Sequence, residues 1–338
     1  MKTLKDCYSP FKLLHHRERI DALKRGEVIL PAQVTFGLTN ICNHRCPYCY
    51  PRGRYAERQK AQMPAERVIR LLREISDAGI RTIQITGAGE PTLHPDFREI
   101  LKEVNKSGIR SGFVMNGSGL QADDVKLFEC ADWIRFSIDA ATEKTYENIH
   151  GSKGFKKLVS VMEALTNRWS EAVVGFSFVI TPENYKEIYA AAGLSKSLGC
   201  KNIRFIPAHT DKGIGLFDGI WDECLQMLQE SKSLEDEQFI VSAHTDRFFS
   251  DGSTKKTFKR CYYQHFTTYI GADGNLYPCC LLQGKHALGN INDMSFADLW
   301  HSRMPIQVEE CNVACSFSKQ NELMDYILKE NPLHVDYV

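Results

Sequence analysis

Three cysteines in the spacing Cys42-x3-Cys46-x2-Cys49 constrain this chain more than any other stretch. They lie in the run Leu38-Thr39-Asn40-Ile41-Cys42-Asn43-His44-Arg45-Cys46-Pro47-Tyr48-Cys49-Tyr50, directly after an apolar, β-branched segment (34–38) that reads as a strand. Thiolates are soft ligands that suit zinc or iron–sulfur clusters. A closed structural zinc site takes four nitrogen or sulfur ligands, and this loop offers three thiols. His44 would be a fourth, but it lies between Cys42 and Cys46, where turning towards the same metal is awkward. Three thiols on one loop instead suit a [4Fe–4S] cluster whose fourth iron is left open for a small ligand.

The remaining cysteines sharpen this reading. The chain has twelve in 338 residues. Its N-terminus lacks the apolar core of a signal peptide, and no apolar run approaches the length of a membrane span. A cytoplasmic location is therefore expected, and in that reducing compartment clustered cysteines read as metal ligands rather than disulfides. Five fall between Cys261 and Cys315, while Cys7, Cys130, Cys200 and Cys224 are scattered. Cys130 and Cys200 each end a helix-like stretch and read as small buried hydrophobes. Lys+Arg and Asp+Glu both number 42, so no net charge points to a nucleic-acid or membrane partner.

From Gln33 to Thr210 the pattern alternates β-rich runs with helical stretches. Strands are expected at 34–38, 82–86, 111–115, 133–138, 173–180 and 202–206. Helices are expected at 65–78, 95–107, 122–130, 143–168 (broken near Gly151) and 184–198. Six β–α repeats with right-handed crossovers imply an α/β fold, a partial (β/α)6 barrel of parallel strands. Ligands in such folds sit at the C-terminal ends of the strands. Before it, residues 1–32 carry a helix opened by Ser9 as N-cap and Pro10. The expected divisions are 1–32, a barrel over 33–215, a helix and linker over 216–257, and a small α+β iron–sulfur domain over 258–338.

The cysteine loop resembles that of the radical S-adenosylmethionine (SAM) superfamily, Cys-x3-Cys-x-aromatic-Cys, with Tyr48 at the aromatic position. One β–α unit later, Thr86-Gly87-Ala88-Gly89-Glu90-Pro91 resembles the superfamily's Gly-Gly-Glu-Pro turn, with Ala88 replacing the first glycine. That resemblance implies that Gly87, Ala88, Gly89, Glu90 and Pro91 hold the amino group of SAM. Asn116 after the third strand, and Ser137 and Asp139 at the end of the fourth, resemble strand ends that approach the SAM ribose and carboxylate. Ile206, ending the sixth strand, completes the expected contacts. Asn116-Gly117 is also an ordinary turn, and Asp139 is also a plausible helix cap.

Cys261-x12-Gly274-x4-Cys279 resembles the start of a SPASM domain, which carries auxiliary iron–sulfur clusters in many of these enzymes. The Asp273-Gly274 pair between β-rich runs predicts a hairpin that brings Cys261 towards Cys279. The middle cysteine run of the full pattern is missing, which implies the shortened "twitch" form with one auxiliary [4Fe–4S] cluster on Cys261, Cys279, Cys311 and Cys315. Cys280 is the spare thiol. A zinc ribbon is the alternative use of the same four.

The resemblance implies reductive cleavage of SAM to a 5′-deoxyadenosyl radical that takes a hydrogen atom from substrate. A fully ligated auxiliary cluster then suits an electron acceptor, so the expected reaction is oxidation of a small polar molecule, as in aminocyclitol dehydrogenases of antibiotic pathways. An external one-electron donor such as flavodoxin or ferredoxin is implied. Arg204, His209 and Asp211 are the candidate substrate contacts or base. The alternative within the superfamily is modification of a peptide by crosslinking or epimerisation, with Cys200, Cys224 and Cys280 as candidate hydrogen donors. Such enzymes often carry a peptide-recognition domain ahead of the barrel, where this sequence has about thirty residues. An alternative of another class is a non-catalytic iron–sulfur electron carrier, which would not need Glu90 and its glycine turn.

Overall fold

The structure is a computed structural model that describes residues 8–49, 60–169, 172–208, 213–243 and 255–329. One nine-stranded sheet organises it: β1 (Gln33–Gly37), β2 (Thr82–Thr86), β3 (Arg110–Met115), β4 (Ala131–Ser137), β5 (Val173–Ile180), β6 (Asn202–Pro207), β7 (Ile240–Ala243), β8 (Thr267–Ile270) and β9 (Leu276–Tyr277). The order is β7-β6-β5-β4-β3-β2-β1-β8-β9, parallel throughout except for the last pair. Helices α1 (Arg17–Lys24), α2 (Ala65–Asp77), α3 (Phe97–Ser107), α4 (Glu143–His150), α5 (Phe155–Arg168), α6 (Ile188–Ser197), α7 (Trp221–Ser231), α8 (Tyr263–Phe266), α9 (Phe296–Ser302) and α10 (Ser318–Ile327) complete it.

Six strands fall where the β-rich runs place them, and the fold is the expected parallel partial barrel. It is also wider than six strands. The segment expected as helix and linker contributes β7, hydrogen-bonded to β6 with Asn202 opposite Ile240. The expected C-terminal hairpin forms as β8 and β9, and β8 adds in parallel to the other face of β1, with Gln33 opposite Thr267. The stretch at Ala122–Phe128 is a 3-10 helix, closed by a reciprocal Gln121/Asp124 cap.

Residues alternate along each strand, as the pleat requires. On β4, Ile134 and Phe136 are buried against the helices, while Trp133, Arg135 and Ser137 face the barrel interior. The same alternation on β6 turns Arg204 and Ile206 inward and buries Ile203 and Phe205. Apolar side chains of strands and helices merge into one core that also takes in Ile270, Leu276, Phe296, Leu299 and Trp300. The lumen side is polar: Gln33 Nε2 reaches Gln84 Oε1 (3.1 Å) and Thr35 Oγ1 (3.0 Å). Tyr8 closes its lower end, its hydroxyl donating to Asn202 Oδ1 (2.8 Å) and accepting from Arg135 (3.1 Å).

Candidate active site

The cysteine loop leaves β1 at the C-terminal edge of the sheet and is fastened there by backbone. Gly89 N–H donates to Thr39 O (3.1 Å) and Glu90 N–H to Ile41 O (2.8 Å), so the glycine turn after β2 is laced to the stem of the loop. The approach is too close for a side chain. A Cβ on Gly89 would lie 2.3 Å from Ile41 O, and one on Gly87 3.2 Å from Thr39 O. Glycine is needed here for contact between two protein segments.

Glu90 is buried (2% exposed) and its carboxylate gathers three backbone N–H groups: Asn116 (2.6 Å), Gly117 (3.2 Å) and Thr92 (3.2 Å), with Thr92 Oγ1 at 2.5 Å. It thus ties the end of β2 to the end of β3, and Pro91 opens a single 3-10 turn behind it. Burial pushes its carboxyl above the ordinary range, and the four donors oppose that rise. Asn116 acts on the same loop, its Nδ2 lying 3.8 Å from Cys42 Sγ and 3.3 Å from Asn43 Oδ1.

Asp139 is the one described non-glycine residue with positive φ, at 55°, and it is 1% exposed. Such geometry is held only where the surroundings over-determine it. Its carboxylate accepts the Tyr48 hydroxyl and Val179 N–H (2.5 Å), and its carbonyl accepts from Asn184 Nδ2 (2.9 Å). Burial raises its pKa to about 7, against the pull of those two donors. Burial first, and then the charge of Asp139, push the Tyr48 phenol well up. Ser137 and Ile206, near the C-terminal ends of β4 and β6, are half-buried.

His150, which the sequence pattern did not single out, grips the loop twice. Its carbonyl accepts Arg45 N–H (2.8 Å), and its Nδ1 lies 3.0 Å from Cys46 Sγ. Nothing local links it to a cysteine 104 positions earlier; only the fold brings α4's last residue there. Burial lowers its pKa to about 4 and that of His44 to about 3, the latter helped by His150. Burial also drives the Cys46 thiol upward, so a metal taking it must displace a proton.

The candidate substrate residues separate. Arg204 stands in the lumen level with Ser177 and Ser137, one inward position below Ile206. Its guanidinium lies 5.4 Å from the Tyr8 ring centroid, with Arg135 at 5.1 Å from the same ring. As a permanently charged donor it cannot act as a base. His209 and Asp211 lie outside the described residues. Cys200 and Cys224 are buried in the apolar core, and Cys280 is exposed beside Cys279.

The C-terminal thiols converge. Cys261 precedes α8, Cys279 follows β9, and Cys311 and Cys315 precede α10. Burial lifts Cys261 to about 11, with the neighbouring Cys315 and Cys311 adding to the rise, and Cys279 rises for burial and for Cys280 and Cys261 nearby. Leu282, Ile306 and Val313 pack against Cys279 and Cys311, and Tyr263 stacks on Phe317 (centroids 3.8 Å apart). Phe317 N–H points at Cys315 Sγ (3.4 Å), as His44 N–H points at Cys42 Sγ (3.4 Å). Cys311 borders an open cleft of about 640 Å³ lined also by Lys256, Phe258 and Lys259.

Among the described residues, neither cysteine set contains three thiols within 4.8 Å of one another, the spacing a single ion needs. A cluster spreads its ligands around a cube and takes wider separations. As soft thiolate donors, both cysteine sets suit iron–sulfur clusters.

A parallel partial barrel with one thiol set after β1 and a second around β8 and β9 defines a candidate iron–sulfur protein, and comparison with known proteins places it further. The family model described as the radical SAM superfamily matches residues 37–194, and that of the SPASM iron–sulfur cluster-binding domain matches residues 261–323. The chain therefore carries a radical SAM domain followed by a SPASM domain, and its cofactors are SAM and [4Fe–4S] clusters. Bound to this chain, such cofactors would supply one-electron chemistry.

Among curated proteins, the chain is 26% identical over 179 residues to a probable GTP 3′,8-cyclase of Metallosphaera sedula, covering 51% of this chain and 54% of the cyclase. It thus spans about half that relative's length. It is 24% identical over 316 residues to AlbA of Bacillus subtilis, the antilisterial bacteriocin subtilosin biosynthesis protein, covering 89% of this chain and 69% of AlbA. In fold it resembles SuiB of Streptococcus suis, with a TM-score of 0.65 at 14% identity over 87% of this chain and 71% of SuiB.

Proposed function

We propose that this chain is a radical SAM enzyme that modifies a peptide, with one auxiliary [4Fe–4S] cluster of the shortened type on Cys261, Cys279, Cys311 and Cys315. The observation that carries this reading is coverage. The bacteriocin-biosynthesis relative aligns along 89% of the chain, through both the barrel and the cysteine-rich domain. The relatives named for nucleotide chemistry align with 51% and 37% of it. SuiB, whose fold this chain shares, has been solved with the precursor peptide SuiA bound. The peptide reading thereby moves ahead of oxidation of a small polar metabolite.

In this reading Cys42, Cys46 and Cys49 hold the SAM-binding cluster, and the half-buried Ser137, Ile206, Gly87 and Gly89 face SAM. Glu90, Asn116 and Asp139 act through the loop they brace. Arg204 offers hydrogen bonds to substrate from the lumen. An external donor such as flavodoxin or ferredoxin supplies the first electron, and the auxiliary cluster takes the electron released by an oxidised substrate radical.

Anaerobically reconstituted protein, with dithionite and SAM, is offered short peptides encoded beside its gene or, separately, GTP. Peptide-stimulated 5′-deoxyadenosine release, with a change in peptide mass or retention, is expected. Release stimulated by GTP and by no peptide would move the assignment to nucleotide chemistry.

A further inference from the structure

His44, Cys46 and His150 each offer one ligand atom, and the three atoms lie within 4.8 Å of one another, the one such trio among the described residues. We propose that this trio is a mononuclear binding site for a divalent zinc-like ion, occupied when the cluster is absent. The site is separate from the substrate question and goes beyond the function proposed above.

The geometry is that of a metal site. His150 Nε2–H donates to Ile138 O (2.7 Å), with an Asp139 carboxylate oxygen at 3.4 Å. A ring N–H anchored on a carbonyl or carboxylate is how metal-binding histidines are held, and it fixes the tautomer. The lone pair is then on Nδ1, which faces Cys46 Sγ at 3.0 Å. His44 is 6% exposed, its ring 4.9 Å from that of His150, and its Nδ1 has no hydrogen-bond partner among the described residues. A buried ring nitrogen left in that state costs desolvation that a metal bond would repay.

Two imidazoles and a thiolate leave a fourth tetrahedral position for water. Binding exchanges the Cys46 S–H proton for the ion, releases that proton to solvent and moves no electrons. Cys46 is shared with the cluster, whereas Cys42 and Cys49 are not needed, so ion and cluster exclude each other. The apoprotein would keep its loop folded around the ion, and the ion would have to leave before a cluster assembles.

Reduced apoprotein is titrated anaerobically with Co(II), whose tetrahedral thiolate–imidazole spectrum reports the ligands. The C-terminal thiols give a background common to all variants, which difference spectra remove. The bands are expected to vanish in Cys46→Ser, His150→Ala and His44→Ala, and to persist in Cys42→Ser and Cys49→Ser. Bands that depend on Cys42 or Cys49, or that survive both histidine variants, would overturn the proposal. To separate loss of a ligand from loss of the fold, the unmutated apoprotein is also alkylated with and without Zn(II) and mapped by mass spectrometry. Selective protection of Cys46, with Cys42 and Cys49 still modified, supports the site. Protection of all three or of none sinks it.

Discussion

Gly89 is where the turn after β2 meets the stem of the cysteine loop, and its missing side chain lets the two backbones approach. The Cβ of Gly89→Ala would meet backbone atoms of Asn40 and Ile41 at 2.3–2.6 Å, and backbone cannot swing aside as a side chain can. Overpacking of this kind costs about 1–3 kcal/mol. The variant is expected to lose that much stability in urea and to fill its N-terminal cluster poorly while keeping the auxiliary one, as iron counts per chain would show. Asp139 makes a second residue-scale prediction, from its raised pKa. An aspartate in the unfolded chain titrates near about 3.9. Between there and the folded value of about 7, the folded protein holds more protons than the unfolded one. Its contribution is therefore complete below the lower value and is lost as pH rises through the upper. Asp139→Asn keeps an acceptor, tolerates the positive φ and does not titrate. Urea unfolding of the apoprotein across this window should show a falling stability that the substitution flattens; an unchanged slope would remove the assignment.

At the scale of elements, Glu90 joins two strand ends, those of β2 and β3, into one unit. Its carboxylate satisfies N–H groups from the turn after β2 and from the turn after β3. Glu90→Ala leaves those groups buried without acceptors, at about 1–3 kcal/mol for each one left unsatisfied. Glu90→Gln keeps one acceptor oxygen and should lose less, so urea midpoints should rank parent, glutamine, alanine. Equal losses would mean that the carboxylate does not bridge the strands. The strands it joins were legible because each is a run of β-branched and aromatic residues long enough to show a local pattern. β8 was legible only as half of a hairpin. Its partner β1 lies more than 230 positions earlier, and local pattern carries no pairing information across such a distance. β7 was missed because its four residues follow the charged run Glu235-Asp236-Glu237, which reads as linker. The site divides the same way. The cysteine loop and glycine turn are contiguous chemistry, visible in sequence, whereas His150, Tyr8 and Arg135 reach it only through folding.

At the scale of the molecule, the strand β8 changes what counts as a domain. It joins the barrel's sheet, so the iron–sulfur segment is continuous with the barrel rather than hung from it. Other contacts repeat the message. Arg67 of α2, 6% exposed, donates to Ile291 O (2.6 Å) and pairs with Glu74 (3.2 Å), whose carboxylate accepts Phe296 N–H (2.9 Å) at the start of α9. Trp300 of α9 donates to Ile29 O (2.7 Å), and Leu13 and Ile20 of the N-terminal helices pack with Phe266 and Met324. Barrel, N-terminal helices and cluster segment should therefore unfold together. In urea, the apoprotein is expected to show one transition, with tryptophan fluorescence and far-UV circular dichroism coinciding. Arg67→Met, which removes a buried charged donor from both partners, should shift that transition by about 2–3 kcal/mol without splitting it. A chain ending at residue 257 would leave β1 with an unpaired edge and strip Ile270, Leu276 and Trp300 from the core, so it should not give a cooperative transition. A fragment that unfolds sharply would show the barrel to be self-sufficient. The C-terminal thiols would then be an appendage to a complete barrel. A single shared transition would instead mean that the cysteine-rich segment belongs to the barrel's own cooperative unit.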